Sequence, residues 1–99
     1  MILYGKQLKI NKLTCLYFYE ENDIFSKKYF SLLEKTGLNK KIDVLFVDIN
    51  SYKDLVTQYK IEFLPTFLFI KQKELGRIEN VVSSEEFNLY CDKILKKVK

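Results

Sequence analysis

The sequence predicts a single α/β domain, residues 1–99, in which a mixed sheet of four or five strands is flanked by three helices. Two almost entirely apolar runs, residues 13–19 and 42–49, indicate strands that are buried on both faces. A helical spacing of apolar residues between them makes these strands parallel, because a helix crosses from one to the other. Residues 66–82 add an apolar, β-branched pair of runs around a polar turn, which indicates an antiparallel hairpin.

The three predicted helices differ in their end signals. The first begins near Phe25 and stops at Gly37, a typical helix-ending residue. Ser51 is the expected N-cap of a second, short helix. Residues 83–86 read Ser-Ser-Glu-Glu, which is a capping box for the last helix. The apolar stripe expected on this last helix comprises Phe87, Tyr90, Cys91, Ile94 and Val98.

The strand signals also set expectations for the hairpin and the N-terminus. Pro65 cannot donate to a central ladder, so it marks the entrance of its strand. We expect the turn at residues 71–74 and the return strand at residues 75–82. Residues 1–10 are expected to supply an edge strand, either as a short parallel strand or as a hairpin through Asn11 and Lys12.

Composition excludes several classes of protein. The chain contains 2 cysteines and 0 histidines, too few for a disulfide scaffold and unsuited to a zinc site or a histidine-dependent triad. We therefore expect no cofactor and no metal. No apolar run approaches the roughly 20 residues that span a bilayer, and no signal-peptide pattern is present. We expect a cytoplasmic protein without a membrane partner.

The net charge of +4 is weak evidence for a nucleic-acid partner. Arg77 is the single arginine among 17 basic residues, whereas phosphate and base recognition favours arginine. The chain has no alanine or tryptophan and is rich in Lys, Asn, Ile, Tyr and Phe, the pattern of an AT-rich coding genome. We expect a protein or an extended peptide segment as partner, not a nucleic acid.

Two motifs resemble those of the thioredoxin family. Residues 47–50 read Val-Asp-Ile-Asn, similar to the V-D-x-D end of a family strand. Residues 59–67 are similar to the family's Y-x-I-x-x-x-P-T-F stretch. The resemblance covers residues 13–99 and implies a thioredoxin-like fold with a shortened N-terminus. It also implies that the Leu64–Pro65 peptide bond is cis.

The resemblance places the family's W-C-G-P-C-K active site at residues 22–27. Asp23 and Ser26 then occupy the two cysteine positions, and a shift of one residue would put Ile24 and Lys27 there instead. Neither register supplies the thiolate that disulfide exchange requires, so we expect a protein that is not an enzyme and has no catalytic residue. Asp23 is either a contact for the partner or simply the N-cap of the helix, and the N-cap is the favoured interpretation.

Further positions support redox inactivity. The buried aspartate and lysine that family reductases use to move protons correspond to Tyr17 and Phe46. Cys15 lies in a buried strand and Cys91 on the apolar face of the last helix, where a cysteine usually behaves as a small hydrophobic residue. An oxidoreductase that uses Cys15 or Cys91 is the least favoured alternative.

The family's substrate groove remains as a candidate binding site. The resemblance places it between residues 23–25, the bond before Pro65, and residues 80–82. We therefore predict a redox-inactive protein-binding module that acts as an adaptor, a chaperone-like holder or a subunit of a complex. The alternative is an RNA-associated subunit of a ribonucleoprotein. The predicted groove residues are Ile24, Phe25, Phe63, Leu64, Pro65 and Val81.

Overall fold

The computed structural model describes residues 12–24, 31, 33, 35, 37–79 and 83–97. Helical backbone is also seen at Ile24, just before the first predicted helix, and at Ser31, Leu33 and Lys35 within it. The elements, in chain order, are β1 (Thr14–Tyr19), α1 (Leu38–Lys41), β2 (Asp43–Asp48), α2 (Lys53–Gln58), β3 (Thr66–Lys71), β4 (Lys73–Glu79) and α3 (Ser84–Lys96).

The four described strands form one mixed sheet in the order β2-β1-β3-β4. β1 runs parallel to β2 and antiparallel to β3, and β3 pairs antiparallel with β4. The parallel pair and the hairpin that the sequence predicts are both present. The fifth strand, expected from residues 1–10, lies outside the described residues.

Both faces of the sheet are buried, which explains why the central strands are apolar at nearly every position. On one face Cys15, Tyr17, Phe67 and Phe69 pack against α3, which contributes Phe87, Cys91 and Ile94. On the other face Leu16, Phe18, Leu68 and Ile70 pack against Leu55 of α2. Successive side chains of β1 and β3 alternate between these two clusters, as the twofold period of a strand requires.

The hairpin turn is tighter than the sequence predicts. β4 begins at Lys73 and not at Leu75, and the turn is reduced to Gln72, whose φ is 66°. A register shift between Phe69 and Ile70 accommodates the extra residue that this early start creates. The predicted end of the strand, residues 80–82, lies outside the described residues.

Two predictions about the helix ends differ in outcome. Ser83 is the N-cap of α3, and its hydroxyl accepts a hydrogen bond from the Glu86 amide at 3.2 Å, as expected from the capping box. The prediction that Ser51 caps α2 is wrong. The Asp48 carbonyl accepts hydrogen bonds from the amides of both Ser51 and Tyr52, so Ser51 lies in a turn that precedes the helix. Tyr52 is the N-cap residue.

The apolar stripe of α3 is narrower than expected. Phe87, Cys91 and Ile94 are buried, but Tyr90 is exposed. The three buried residues follow the i, i+4, i+7 spacing of one helix face, and Tyr90 lies at the margin of that face. Val98, the last predicted member of the stripe, falls outside the described residues. Gly37 has a φ of 67°, a left-handed conformation that glycine adopts without steric cost.

Candidate functional site

The strand registers gather several loops at one end of the sheet. Tyr19, the last residue of β1, lies beside Asp48, the last residue of β2. Phe18 pairs with Thr66, the first residue of β3, and Thr66 pairs with Glu79, the last residue of β4. The C-terminal ends of β1, β2 and β4 and the N-terminal end of β3 therefore lie at the same end of the sheet. We call this the groove end.

The loop after β1 ends at Ile24, where helical backbone begins. The Asp23 amide donates to the Glu20 carbonyl at 3.0 Å, which closes a turn at the end of the strand. Asp23 is half-buried and immediately precedes Ile24, which already has helical backbone and is 78% exposed. Asp23 thus occupies the position from which an aspartate can cap a helix. Phe25 and Ser26, the next two predicted site residues, lie outside the described residues.

The segment before β3 presents apolar side chains and open backbone. The Leu64–Pro65 peptide bond is cis, and Pro65 is buried. The Thr66 hydroxyl donates to the Phe63 carbonyl at 2.6 Å, which holds the turn into the strand. Phe63 is 46% exposed, and Leu64 is half-buried against the α2 side of the core. Within the described part of the chain, Leu64 makes no backbone hydrogen bond.

The structure brings four predicted groove residues to one end of the sheet. Ile24 follows β1, and Phe63, Leu64 and Pro65 precede β3. Val81 follows β4 in the chain but belongs to the part that the structure does not describe. The apolar side chains, with a Leu64 backbone that makes no hydrogen bond to the described residues, are suited to pairing with an extended peptide.

Tyr17 and Phe46, which the resemblance aligns with the proton-transfer pair of the reductases, contact each other. Tyr17 and Phe46 are register partners, and their rings meet edge to face with centroids 5.6 Å apart. Tyr17 is fully buried, whereas Phe46 is 47% exposed. Two aromatic rings cannot exchange protons as a carboxylate and an ammonium group can. Their contact contributes packing energy at this position.

Both cysteines are free and buried in the α3-side cluster. Burial, with a smaller contribution from Cys91, holds the pKa of the Cys15 thiol well above its usual range. Burial also raises the pKa of Cys91 to about 12, and Asp92 adds to the shift. Thiols with such pKa values are almost entirely protonated at neutral pH, and only the thiolate is a good nucleophile.

Tyr19 and Asp48 are site residues that the sequence analysis did not single out for function. Burial raises the pKa of the Tyr19 phenol, and Asp48, Glu21 and Tyr52 raise it further. The Asp48 carboxylate also accepts from the Asn50 amide at 2.9 Å, which fixes the turn after β2. The Val-Asp-Ile-Asn motif was the available signal, but a motif does not reveal that Asp48 faces Tyr19.

Metal-binding and membrane-spanning features are absent from the described segments. No group of three or more His, Cys, Asp or Glu side chains there could hold a metal ion. None of the helices that can be described has the length and apolar character needed to cross a bilayer.

Comparisons with known proteins find similarity in structure alone. No family model and no curated protein matches the sequence. A thioredoxin of Trypanosoma brucei brucei superposes with a TM-score of 0.75 at 20% identity, covering 89% of this chain and 79% of that one. The germline-specific thioredoxin Deadhead of Drosophila melanogaster gives a TM-score of 0.72 at 24% identity, covering 84% and 81%.

A third similar structure comes from the malaria parasite. Thioredoxin-2, described as a component of the protein secretion machinery of the malaria parasite, has a TM-score of 0.70 at 23% identity and covers 84% of both chains. All three superpositions extend over at least 84% of this chain. The chain therefore has the thioredoxin fold.

Proposed function

We propose that this protein is a redox-inactive, thioredoxin-like module that binds a protein through the groove beside Pro65. The single observation that supports binding most directly is the segment Phe63–Leu64. It combines the exposed aromatic side chain of Phe63 with the backbone of Leu64, which makes no hydrogen bond within the described residues. An extended peptide that paired with Leu64 would satisfy these backbone groups and cover Phe63.

Redox inactivity is supported by where the two thiols lie. Cys15 is in the middle of the sheet and Cys91 in α3, so neither is at the start of the helix after β1. Asp23, at the start of that helix, has a carboxylate that cannot form a mixed disulfide. The module would therefore hold a partner without exchanging disulfides with it.

The first test is an insulin-reduction assay with dithiothreitol as electron donor. We expect the rate with the protein present to equal the rate with dithiothreitol alone. The same assay with Cys15→Ala and with Cys91→Ala shows whether any residual rate comes from either thiol. A rate above the dithiothreitol background that disappears in one of these variants would contradict redox inactivity.

The second test addresses the groove with a matched pair of substitutions. Phe63→Asp places a charge on the proposed binding surface, whereas Leu89→Asp places one on the solvent side of α3, where Leu89 is also exposed. Proteins captured from cells by the unchanged protein should be lost with Phe63→Asp and retained with Leu89→Asp. Equal capture by both variants would contradict binding through the groove.

The alternative function, an RNA-associated subunit, has less support. Lys97 of the basic C-terminal region donates to the Leu75 carbonyl at 3.2 Å, so it has a structural contact. Lys93 and Lys96 lie in the last turn of α3, where cations interact favourably with the helix dipole. RNA binding that weakens steeply with salt would favour this alternative.

A further inference from the structure

The charged side chains are divided between the two ends of the sheet. Opposite the groove end lie the start of β1, the start of β2 and the turn between β3 and β4. The contact between Lys97 and the Leu75 carbonyl places the end of α3 there as well. The described lysines at that opposite end outnumber the two described carboxylates there, Asp43 and Glu74. They are Lys12, Lys40, Lys41, Lys71, Lys73 and Lys97.

The groove end carries carboxylates instead. Glu21 follows β1, Asp48 ends β2, Glu62 precedes β3 and Glu79 ends β4. Burial raises the pKa of the Tyr19 phenol at this end. The carboxylates of Asp48 and Glu21 raise it further, because a negative charge nearby disfavours the phenolate. Glu79 and Glu62 likewise contribute to raising the pKa of Arg77, after the larger effect of Glu74.

This division is not a consequence of composition. The chain has 17 basic and 13 acidic residues, so a random distribution would leave both ends slightly positive. Lys53 begins α2, and Lys60 follows its C-cap Tyr59. Together with Arg77, whose pKa Glu79 and Glu62 help to raise, they are the described cations nearest in the chain to the groove end. The charged groups that raise the pKa of the Tyr19 phenol, after burial, are the carboxylates of Asp48 and Glu21. The exposed Ile24 and Phe63 are therefore apolar residues in a negative environment.

We propose that the groove binds an extended segment in which lysine or arginine alternates with apolar residues. This inference rests on the proposed function and specifies its partner. Alternate side chains of a strand added beside Leu64 would point toward the apolar surface, and the others would be free to meet Glu21 and Glu62. An acidic segment would be repelled by the same carboxylates.

A second copy of this chain is a less suitable occupant. Its described lysines lie at the ends of strands that are already paired in the sheet, at a tight turn and at helix ends. Such a surface cannot add a strand beside Leu64. Among the described residues no segment of a second copy meets these requirements as well as a segment of another protein, with charge opposite to that of the groove end.

Three synthetic peptides of equal length and fluorescent label test the proposal. The first alternates lysine with valine around a central phenylalanine, the second has serine in place of lysine, and the third has glutamate. We expect the lysine peptide to bind most tightly and the glutamate peptide most weakly. The preference for lysine over serine should diminish between 50 and 500 mM salt, because exposed charges are screened.

Matched variants locate the effect. Glu21→Gln with Glu62→Gln neutralises two exposed carboxylates at the groove end, and Asp43→Asn with Asp92→Asn makes the same change in net charge elsewhere. The first pair should weaken lysine-peptide binding about two- to tenfold, whereas the second pair should leave it within about twofold. Equal effects of both pairs would overturn the inference, because net charge alone would then explain binding.

The outcomes separate this inference from the proposed function. Equal binding of the lysine and serine peptides would keep a peptide-binding groove and overturn its preference for basic segments. Binding of none of the three would overturn both. Sedimentation of the protein alone at 50 mM salt tests whether a second copy of this chain binds in the groove. Self-association that the Glu21→Gln and Glu62→Gln pair abolishes would assign the groove to a second copy and overturn the inference.

Discussion

Tyr17 lies opposite Phe46 in the parallel pair β1–β2, and the edge of one ring meets the face of the other with centroids 5.6 Å apart. Tyr17 also stacks on Phe67 at 4.7 Å, and Phe67 meets Phe87 of α3 at 4.8 Å. A line of aromatic contacts thus runs across the α3-side face of the sheet, from Phe46 of β2 to Phe87 of α3. A buried carboxylate at position 17 would have to be desolvated within this line, at a cost of several kcal/mol.

The two ends of this aromatic line should differ in their contribution to stability. Tyr17→Ala removes a fully buried ring and should lower the free energy of unfolding by about 3–5 kcal/mol, the range for large-to-small core substitutions. Phe46→Ala removes a half-exposed ring and mainly an edge-to-face contact, so we expect a loss of about 1 kcal/mol. Urea denaturation monitored by circular dichroism measures both. Equal losses would show that Tyr17 is not packed as described.

Cysteine pairs can determine which residues begin the helix after β1. Asp23→Cys with Ser26→Cys should form an intramolecular disulfide if these positions correspond to the family's active-site cysteines. Ile24→Cys with Lys27→Cys is the matched control for the shifted register. Because Cys15 and Cys91 are buried, counting reactive thiols in the folded, oxidised variants reports on the new pair alone. A disulfide in the control pair only would show that Ile24 and Lys27, and not Asp23 and Ser26, occupy the family's cysteine positions.

The fold was predictable because its signals are local and redundant. Apolar runs on β1, β2 and β3, one proline before β3 and the Ser83 cap each specify a neighbouring element. Their order then leaves few topologies, since the helix between β1 and β2 makes those strands parallel. The tight turn at Gln72 was missed because a left-handed glutamine is uncommon in turns and gives no sequence signal.

The candidate site was predictable in its apolar residues but not in its charges. Ile24, Phe63 and Leu64 follow from motif positions, whereas the proximity of Asp48 to Tyr19 follows from the parallel register of β1 and β2. Register depends on tertiary packing and is not written in any one segment. For the same reason, the separation of lysines and carboxylates between the two ends is visible only when the strands are paired.

Arg77 connects β4 to the end of α2, and its replacement should destabilise the protein. Its guanidinium donates to both Glu74 carboxylate oxygens at 2.7 Å and to the Tyr59 carbonyl at 3.0 Å. A lysine cannot reproduce this fork, so Arg77→Lys should lower the free energy of unfolding by about 1–2 kcal/mol. Lys12→Met breaks the exposed pair with Asp43 at 3.3 Å and should cost less than about 1 kcal/mol. Equal costs in thermal denaturation would mean that the Tyr59 contact contributes nothing.

The buried thiols should make the protein less stable as the solution becomes alkaline. In the unfolded chain a cysteine loses its proton near pH 8.5, whereas burial raises the pKa of Cys91 to about 12 in the folded protein. Between these values the folded state retains a proton that the unfolded state has lost, so the free energy of unfolding falls as pH rises. The expected slope is about 1.4 kcal/mol per pH unit for each thiol. Denaturant titrations between pH 8.5 and 10 measure this slope.

Cys91→Ala isolates one thiol in the same titrations. Removing Cys91 should reduce the slope by about half, since Cys15, whose pKa is also raised by burial, then acts alone. Keeping the pH below 10 limits the contribution of Tyr19 and Tyr59, whose phenol pKa values are raised mainly by burial. Rapid alkylation of the folded protein by iodoacetamide at pH 8, or a free energy of unfolding that is constant from pH 8.5 to 10, would contradict the burial of these thiols.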